Sequence, residues 1–198
     1  MILAFDTSSA RCAAAVIADG QVLASAEEHM AKGQAERLLV LCEELLDQAG
    51  GRFADLTAVG VGVGPGNFTG IRISVSAARG LALGLGIPAV GVSAFDALRF
   101  GQAGPCACAV DARRDQVYLQ IFDGASSSTP ELADLQNLPP YKGPLIGHTG
   151  QSPRYPMAEA IGLIAQERYA SETSRPAPLY LRPADAAPAR DQAPTILP

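Results

Sequence analysis

The run GVGPGNFTGIR, residues 62–72, constrains this chain more than any other stretch, because it joins an apolar strand to a helix through a turn that few residue types can make. Residues 57–63 read as a short buried strand, Gly64, Pro65 and Gly66 as a sharp reversal, and Thr69 with Gly70 as the entry to the next helix. Glycines in such a turn remove the Cβ atoms that would block positive φ and hold another backbone away. Two readings of that space stand. Unpaired N–H groups at a helix N-terminus suit phosphate or carboxylate oxygens. The run nevertheless matches neither the Walker nor the Rossmann glycine spacing and holds no lysine inside the loop. Alternatively, the turn serves only to let its own helix pack closely.

At 198 residues the chain can bury a substantial core, in one large domain or two small lobes. No apolar run approaches the roughly 20 residues of a membrane span, and the start MILAFD lacks a basic n-region, so a cytoplasmic protein without a membrane partner is expected. Cys12, Cys42, Cys106 and Cys108 are spaced like neither a disulfide framework nor a zinc site. The last two alternate on one strand face and read as small buried hydrophobes. A formal charge of −5 argues against a free-standing nucleic-acid binder, which would carry a basic stripe. Any RNA is therefore expected to be held mainly by another molecule.

The first hundred residues alternate strand and helix signals. Residues 2–6, 11–18 and 21–28 read as strands, the last two joined by a hairpin at Asp19-Gly20, and residues 34–49 as a helix ended by Gly50-Gly51. After the residue 57 strand come a helix over 70–85, a strand over 89–92 and a short helix capped by Ser93. This pattern is an α/β lobe with an antiparallel edge. Residues 106–110 and 116–122 read as two further strands joined through DARRD, and residues 157–169 as a helix.

Two helices carry more apolar surface than a lone lobe needs. At about 100° per residue, Leu38, Leu39, Leu41, Cys42, Leu45, Leu46 and Ala49 fill an arc of roughly 160° on the first, with Val40 inside the opposite, charged arc. The second is charged only at Arg72 and Arg79, which align with Ser76 and Leu83, while Gly70, Ala77 and Gly84 form a small-residue line. A partner covering both helices is the expectation. Ordinary core packing within the lobe is the alternative.

The chemical inventory is thin. His29 and His148 are the only histidines, and no HxxxH pair or GxSxG elbow occurs, so no catalytic residue and no metal ligand is assigned. Asp6, Thr7 and Ser8, directly after the first strand, have the composition of a site that orients hydrated Mg²⁺ and phosphate, or of a loop bonding its own backbone. The DARRD loop, with Asp111, Arg113 and Arg114, is either its counterpart in the second unit or a solvated turn.

The segments ILAFDTSSARCAAAVI, VGVGPGNFTGIRISVSAARGLALGLGIPAVGVSAFDAL, DARRDQVY and PLYLRPADAA together resemble the bacterial TsaB (YeaZ) family of tRNA threonylcarbamoyladenosine biosynthesis proteins. The resemblance implies an α/β chain with the actin-like ATPase fold of sugar kinases and heat-shock ATPases, built as two ribonuclease-H-like lobes with the second reduced. The expected division is 1–103 and 104–182, with 183–198 as a flexible tail. The resemblance also implies a non-catalytic partner of the related subunit TsaD, joined by a TsaE-like ATPase, with tRNA touched only indirectly and a homodimer formed in isolation. TsaD transfers a threonylcarbamoyl group to the adenosine beside the anticodon. Pairing through the first two helices maps the interface onto Gln34, Arg37, Leu39, Val40 and Leu46, then onto Gly70, Arg72, Ser76, Ala77, Arg79 and Leu83. Gln34 departs from the histidine that related sequences commonly carry there. No cofactor of its own is implied, with ATP or ADP and Mg²⁺ at the partner boundary left as the one candidate. A small phosphotransferase or nucleotide hydrolase using Asp6, and a peptidase, are the competing expectations.

Overall fold

In the computed structural model, which describes residues 1–172 and 174–182, the first lobe is a five-stranded sheet built by the glycine turn and its neighbours. Strands β1 (Ile2–Asp6), β2 (Arg11–Ala18) and β3 (Gln21–His29) are antiparallel, with Asp19 and Gly20 both at positive φ in the hairpin. After α1 (Gln34–Gln48) come β4 (Ala58–Gly62), α2 (Phe68–Leu85) and β5 (Ala89–Val92), and β1, β4 and β5 run parallel. The order β3-β2-β1-β4-β5 is that of a ribonuclease-H-like unit.

Alternation along these strands divides the side chains between two cores. Leu3, Phe5, Val16, Val59 and Val61 face α1 and α2, where Leu38, Leu41, Leu45, Leu46, Ile71 and Val75 complete the layer. Each such buried side chain contributes roughly 1.5–3 kcal/mol relative to exposure. The opposite face carries Ile2, Ala4, Ala13, Ala15, Ile17 and Ala58.

The second lobe follows α3 (Ala94–Arg99), whose N-cap Ser93 Oγ accepts the Asp96 N–H at 3.0 Å. Its sheet has the order β10-β6-β7-β8, from β6 (Cys106–Asp111), β7 (Gln116–Asp123), β8 (Ser126–Ser127) and β10 (Leu145–Gly147), with β9 (Glu131–Asp134) also pairing β7. Cys106 and Cys108 lie in the core under α3 with Phe95, Leu98, Phe122 and Ile146. The reverse face, with Ala107, Ala109, Val117 and Leu119, is covered by Ala133 of β9 and by Leu135 and Leu138 rather than by a helix. That lobe is thinner than the first, in keeping with the expected reduction.

One helix returns. Helix α4 (Met157–Arg168) falls by number in the range read as the second lobe, yet it packs Ala158, Ile161, Ile164 and Ala165 against the first sheet. Close approach is possible because both surfaces are small: a Cβ on Gly60 would meet Ala165 Cβ at 2.9 Å, and one on Gly162 would meet Ile17 Cγ1 at 2.5 Å. The first lobe is therefore a helix–sheet–helix sandwich closed by a late segment. After α4, residues 174–182 run without regular structure beside β4 and β5, and the Leu179 N–H donates to Val63 O at 2.8 Å. Residues 183–198, expected as a flexible tail, lie outside the described residues. Among the described residues no helix is long and apolar enough to cross a membrane.

Candidate functional site

The glycine turn and the Asp6–Ser8 loop are one packed unit. Gly64 sits at φ 91 as the reversal requires, and α2 begins at Phe68, two residues before the expected entry, because Asn67 caps it: Asn67 Oδ1 accepts the Gly70 N–H at 3.0 Å. What approaches the glycines is the chain itself. A Cβ on Gly66 would meet Ser8 O at 2.5 Å, one on Gly70 would overlap Thr7 O, and one on Gly62 would overlap the Asp6 carboxylate. The Asn67 N–H donates to Ser8 O at 2.6 Å and Thr7 Oγ1 donates to Gly70 O at 2.7 Å. Close packing thus accounts for the space that the sequence left open to either a phosphate or a backbone.

Asp6 is 5% exposed, and its Oδ2 accepts both the Ser8 N–H at 3.1 Å and Ser8 Oγ at 2.9 Å. Burial raises its carboxyl above the ordinary 3.8, against the opposing pull of the two Ser8 bonds. Hydrated Mg²⁺ needs an ionised oxygen open to its water shell, and at Asp6 the Oδ2 is already doubly bonded to Ser8. The N–H groups of Asn67 and Gly70, which a phosphate would use, are both committed. Asp6 Oδ2, Thr7 Oγ1 and the Asn67 and Gly70 N–H groups are thus spent on internal bonds, and Gly64, Pro65, Gly66 and Thr69 belong to the turn and helix start that make them.

Between the lobes lies a cleft of about 1700 Å³, with Ser8, Lys32, Arg113, His148 and Arg182 among its lining residues. On its second-lobe side the DARRD turn holds Arg113, Arg114 and Asp115 at φ 63, 54 and 58, with Asp111 Oδ1 accepting the Arg113 N–H at 2.8 Å. Consecutive non-glycine residues in the left-handed region are uncommon and project both arginines outward. Among the described residues no group of three or more His, Cys, Asp or Glu is placed to hold a metal ion.

The outward faces of the two long helices differ from the expectation in an informative way. The wide arc of α1 is used inside the lobe: Leu38, Leu41, Cys42, Leu45 and Leu46 are all in the core, so the expected exposure of Leu46 to a partner is corrected. Burial pushes the Cys12 thiol, in the same core, up to about 11. Only Leu39 and Val40 remain outward, 45% and 48% exposed. Arg37 bonds Glu28 and Glu44 of its own chain at 2.6–2.8 Å, and those bonds hold both carboxyls below the usual range. Gln34 Nε2 donates to Met30 O at 3.1 Å. Both polar groups are satisfied locally.

Helix α2 is the barer one. Gly70 lies under Thr7 and is corrected from interface to internal packing, and Ala77 is half-buried against the first core. Arg72, Ser76, Arg79 and Leu83 are exposed along one line, Leu83 at 83%, and Cβ atoms on Gly80 or Gly84 would meet nothing within 4 Å. Sequence reasoning missed two residues at the head of that line. Phe68 and Tyr180 stack with ring centroids 4.9 Å apart, and Arg72 bonds Tyr180. PLYLRP was visible as a motif, but nothing local in it tells where the segment lies.

Over residues 22–134 the chain matches the family described as TsaD: tRNA N6-adenosine threonylcarbamoyltransferase. It is similar to a solved structure described as YeaZ from Pseudomonas aeruginosa, at 30% identity and TM-score 0.75, over 91% of this chain and 99% of that one. A second structure, described as an uncharacterized protein with similarity to peptidase YEAZ from Pseudomonas aeruginosa, aligns at 26% identity and TM-score 0.74, again over 91% and 99%. No curated protein matches.

Proposed function

The chain belongs to the TsaD family and, within it, to the TsaB (YeaZ) proteins, and from that membership we propose that it is the non-catalytic subunit of a tRNA threonylcarbamoyladenosine-forming complex. Its role is to pair with a TsaD-like catalytic subunit, with a TsaE-like ATPase joining them, and to support threonylcarbamoyl transfer to the adenosine beside the anticodon. The observation that carries this reading is the outward line of α2, where Leu83 stands 83% exposed beside two glycines. A large apolar side chain next to bare helix backbone is a costly surface to leave in water.

The chemistry of the Asp6 loop supports the non-catalytic part. Its carboxylate is largely desolvated and its Oδ2 is committed to Ser8, which takes that oxygen away from activating a nucleophile. In this reading the chain brings no cofactor of its own, and ATP or ADP with Mg²⁺ lies against groups supplied by the partner. The competing reading, a phosphotransferase or nucleotide hydrolase, draws on the cleft of about 1700 Å³ beside Asp6. A cytoplasmic location follows from the same proposal.

Reconstitution separates the two. With TsaD-like and TsaE-like subunits, tRNA and the activated threonylcarbamoyl donor, modification should require this chain and survive Asp6→Asn. Full modification in its absence would end the proposal. Nucleotide turnover by the isolated chain that disappears in Asp6→Asn would replace it with the competing one.

A further inference from the structure

Two arginines on the outward line of α2 are held by the segment that follows α4. Arg72 Nε donates to the Tyr180 hydroxyl at 2.9 Å, and its guanidinium lies 3.8 Å over the Phe68 ring. Arg79 Nε donates to Pro176 O at 2.8 Å. The segment that holds them is itself anchored. Pro176 is buried against Gly91, where a Cβ would meet Pro176 Cβ at 3.2 Å, and Leu179 packs against the cores of both lobes. Leu181 continues into the second core.

A free arginine on a helix surface samples many rotamers, and a partner must freeze it to use it. Here each side chain makes its hydrogen bond through Nε, and Arg72 also rests on the Phe68 ring. Among the described residues neither arginine has an ion pair, which leaves the terminal Nη groups unbonded. Seven residues separate the two, a helical rise of roughly 10 Å at 1.5 Å per residue.

We propose that residues 174–182 are a positioning strap, which presets Arg72 and Arg79 to receive two carboxylates roughly 10 Å apart, two turns along one helix of the partner. The inference rests on the reading of α2 as the docking face and adds the chemistry that the partner must present. Opposite charge selects the occupant: guanidinium groups held two turns apart match carboxylates at i and i+7. Arg72 and Tyr180 are also residue types that dominate interface energetics when pre-organised. The strap completes the docking face.

The test is the dissociation constant with the TsaD-like subunit, measured at about 0.1 M and about 0.5 M salt, across the Debye range where exposed charge pairs are screened. Tyr180→Phe keeps the ring and removes only the hydroxyl acceptor. It should weaken binding about fivefold, the scale of one hydrogen bond. Arg79→Gln should weaken it about tenfold at low salt and clearly less at high salt. Both variants should respond to salt less steeply than the parent chain, a readout that a merely structural role would not move. Parental affinity and salt response in both variants would overturn the strap, and so would tighter binding by Tyr180→Phe, which would make the segment a competitor. Leu83→Asp keeps the two ideas apart. If it too binds like the parent, the docking reading itself has failed; if it alone loses binding, only the strap has.

Discussion

Helices α1 and α2 lie side by side on one face of the same sheet, yet their outer surfaces have opposite characters. Outside its buried leucines α1 shows Glu36, Glu43, Glu44 and Asp47 around the exposed Leu39 and Val40, and its one arginine is engaged by Glu28 and Glu44. Outside its core contacts α2 shows no acid at all, and its exposed residues are Thr69, Arg72, Ser76, Arg79, Gly80, Leu83 and Gly84. The first surface sets its apolar pair among carboxylates, and the second sets Leu83 against bare glycine backbone and basic side chains. The difference teaches that a wide apolar arc is not in itself a docking surface. What matters is what the sheet leaves over and what surrounds it: Leu39 and Val40 stand among carboxylates on α1, whereas Leu83 stands 83% exposed beside two open glycines on α2.

The sharpest break comes inside α2, at its two ends. Gly70→Val would drive a side chain into the Thr7 carbonyl, so a loss of about 4 kcal/mol or more is expected in denaturant unfolding. Gly84 is open, and Gly84→Ala should instead gain up to about 1 kcal/mol from helix propensity. Equal costs at both positions would erase the distinction between the packed and the bare end.

The next contrast lies across α1. Leu46→Ala should cost about 2–5 kcal/mol as a core truncation, and Leu39→Ala less than about 0.5 kcal/mol as a surface one. A large cost at Leu39 would mean that α1 carries a second packing surface in the isolated chain.

A smaller effect concerns the Asp6 loop, which α2 caps. Its carboxyl is raised by burial, so the folded state holds the proton more tightly than the unfolded state does. That contribution is present below pH 3.8 and is lost as pH rises through the folded value. Asp6→Asn should therefore be the more stable protein at neutral pH, by roughly 1 kcal/mol, with the gap closing toward pH 4. Melting curves across that range check it, and a gap that widens on acidification would contradict the burial account.

Much of the first lobe was legible because its signals are local. Strands β1 to β5, and the Ser93 cap, follow alternation, β-branching and capping chemistry that a short window displays, as do β6 and β7 beyond them, whereas the Asn67 cap escaped the sequence reading and α2 begins two residues before the expected entry. β8 and β10 escaped because two and three residues are too few for a period to register, and the four-residue β9 because ELAD has none of the β-branched residues that mark the equally short β5. The placement of α4 and of the strap depends on contacts with Ile17, Val63 and Arg72, more than a hundred residues earlier. The same limit governed the glycine turn. Residues 62–72 announced a close approach, and only the meeting with residues 6–8 shows that the visitor is the chain's own backbone.

The account turns on the outward line of α2, and the molecular mass of the chain mixed with the TsaD-like subunit tests it most directly. Light scattering should give one complex for the parent chain and two separate species for Leu83→Asp, whose melting should shift by less than about 0.5 kcal/mol because the side chain is 83% exposed. An undiminished complex with Leu83→Asp would contradict it.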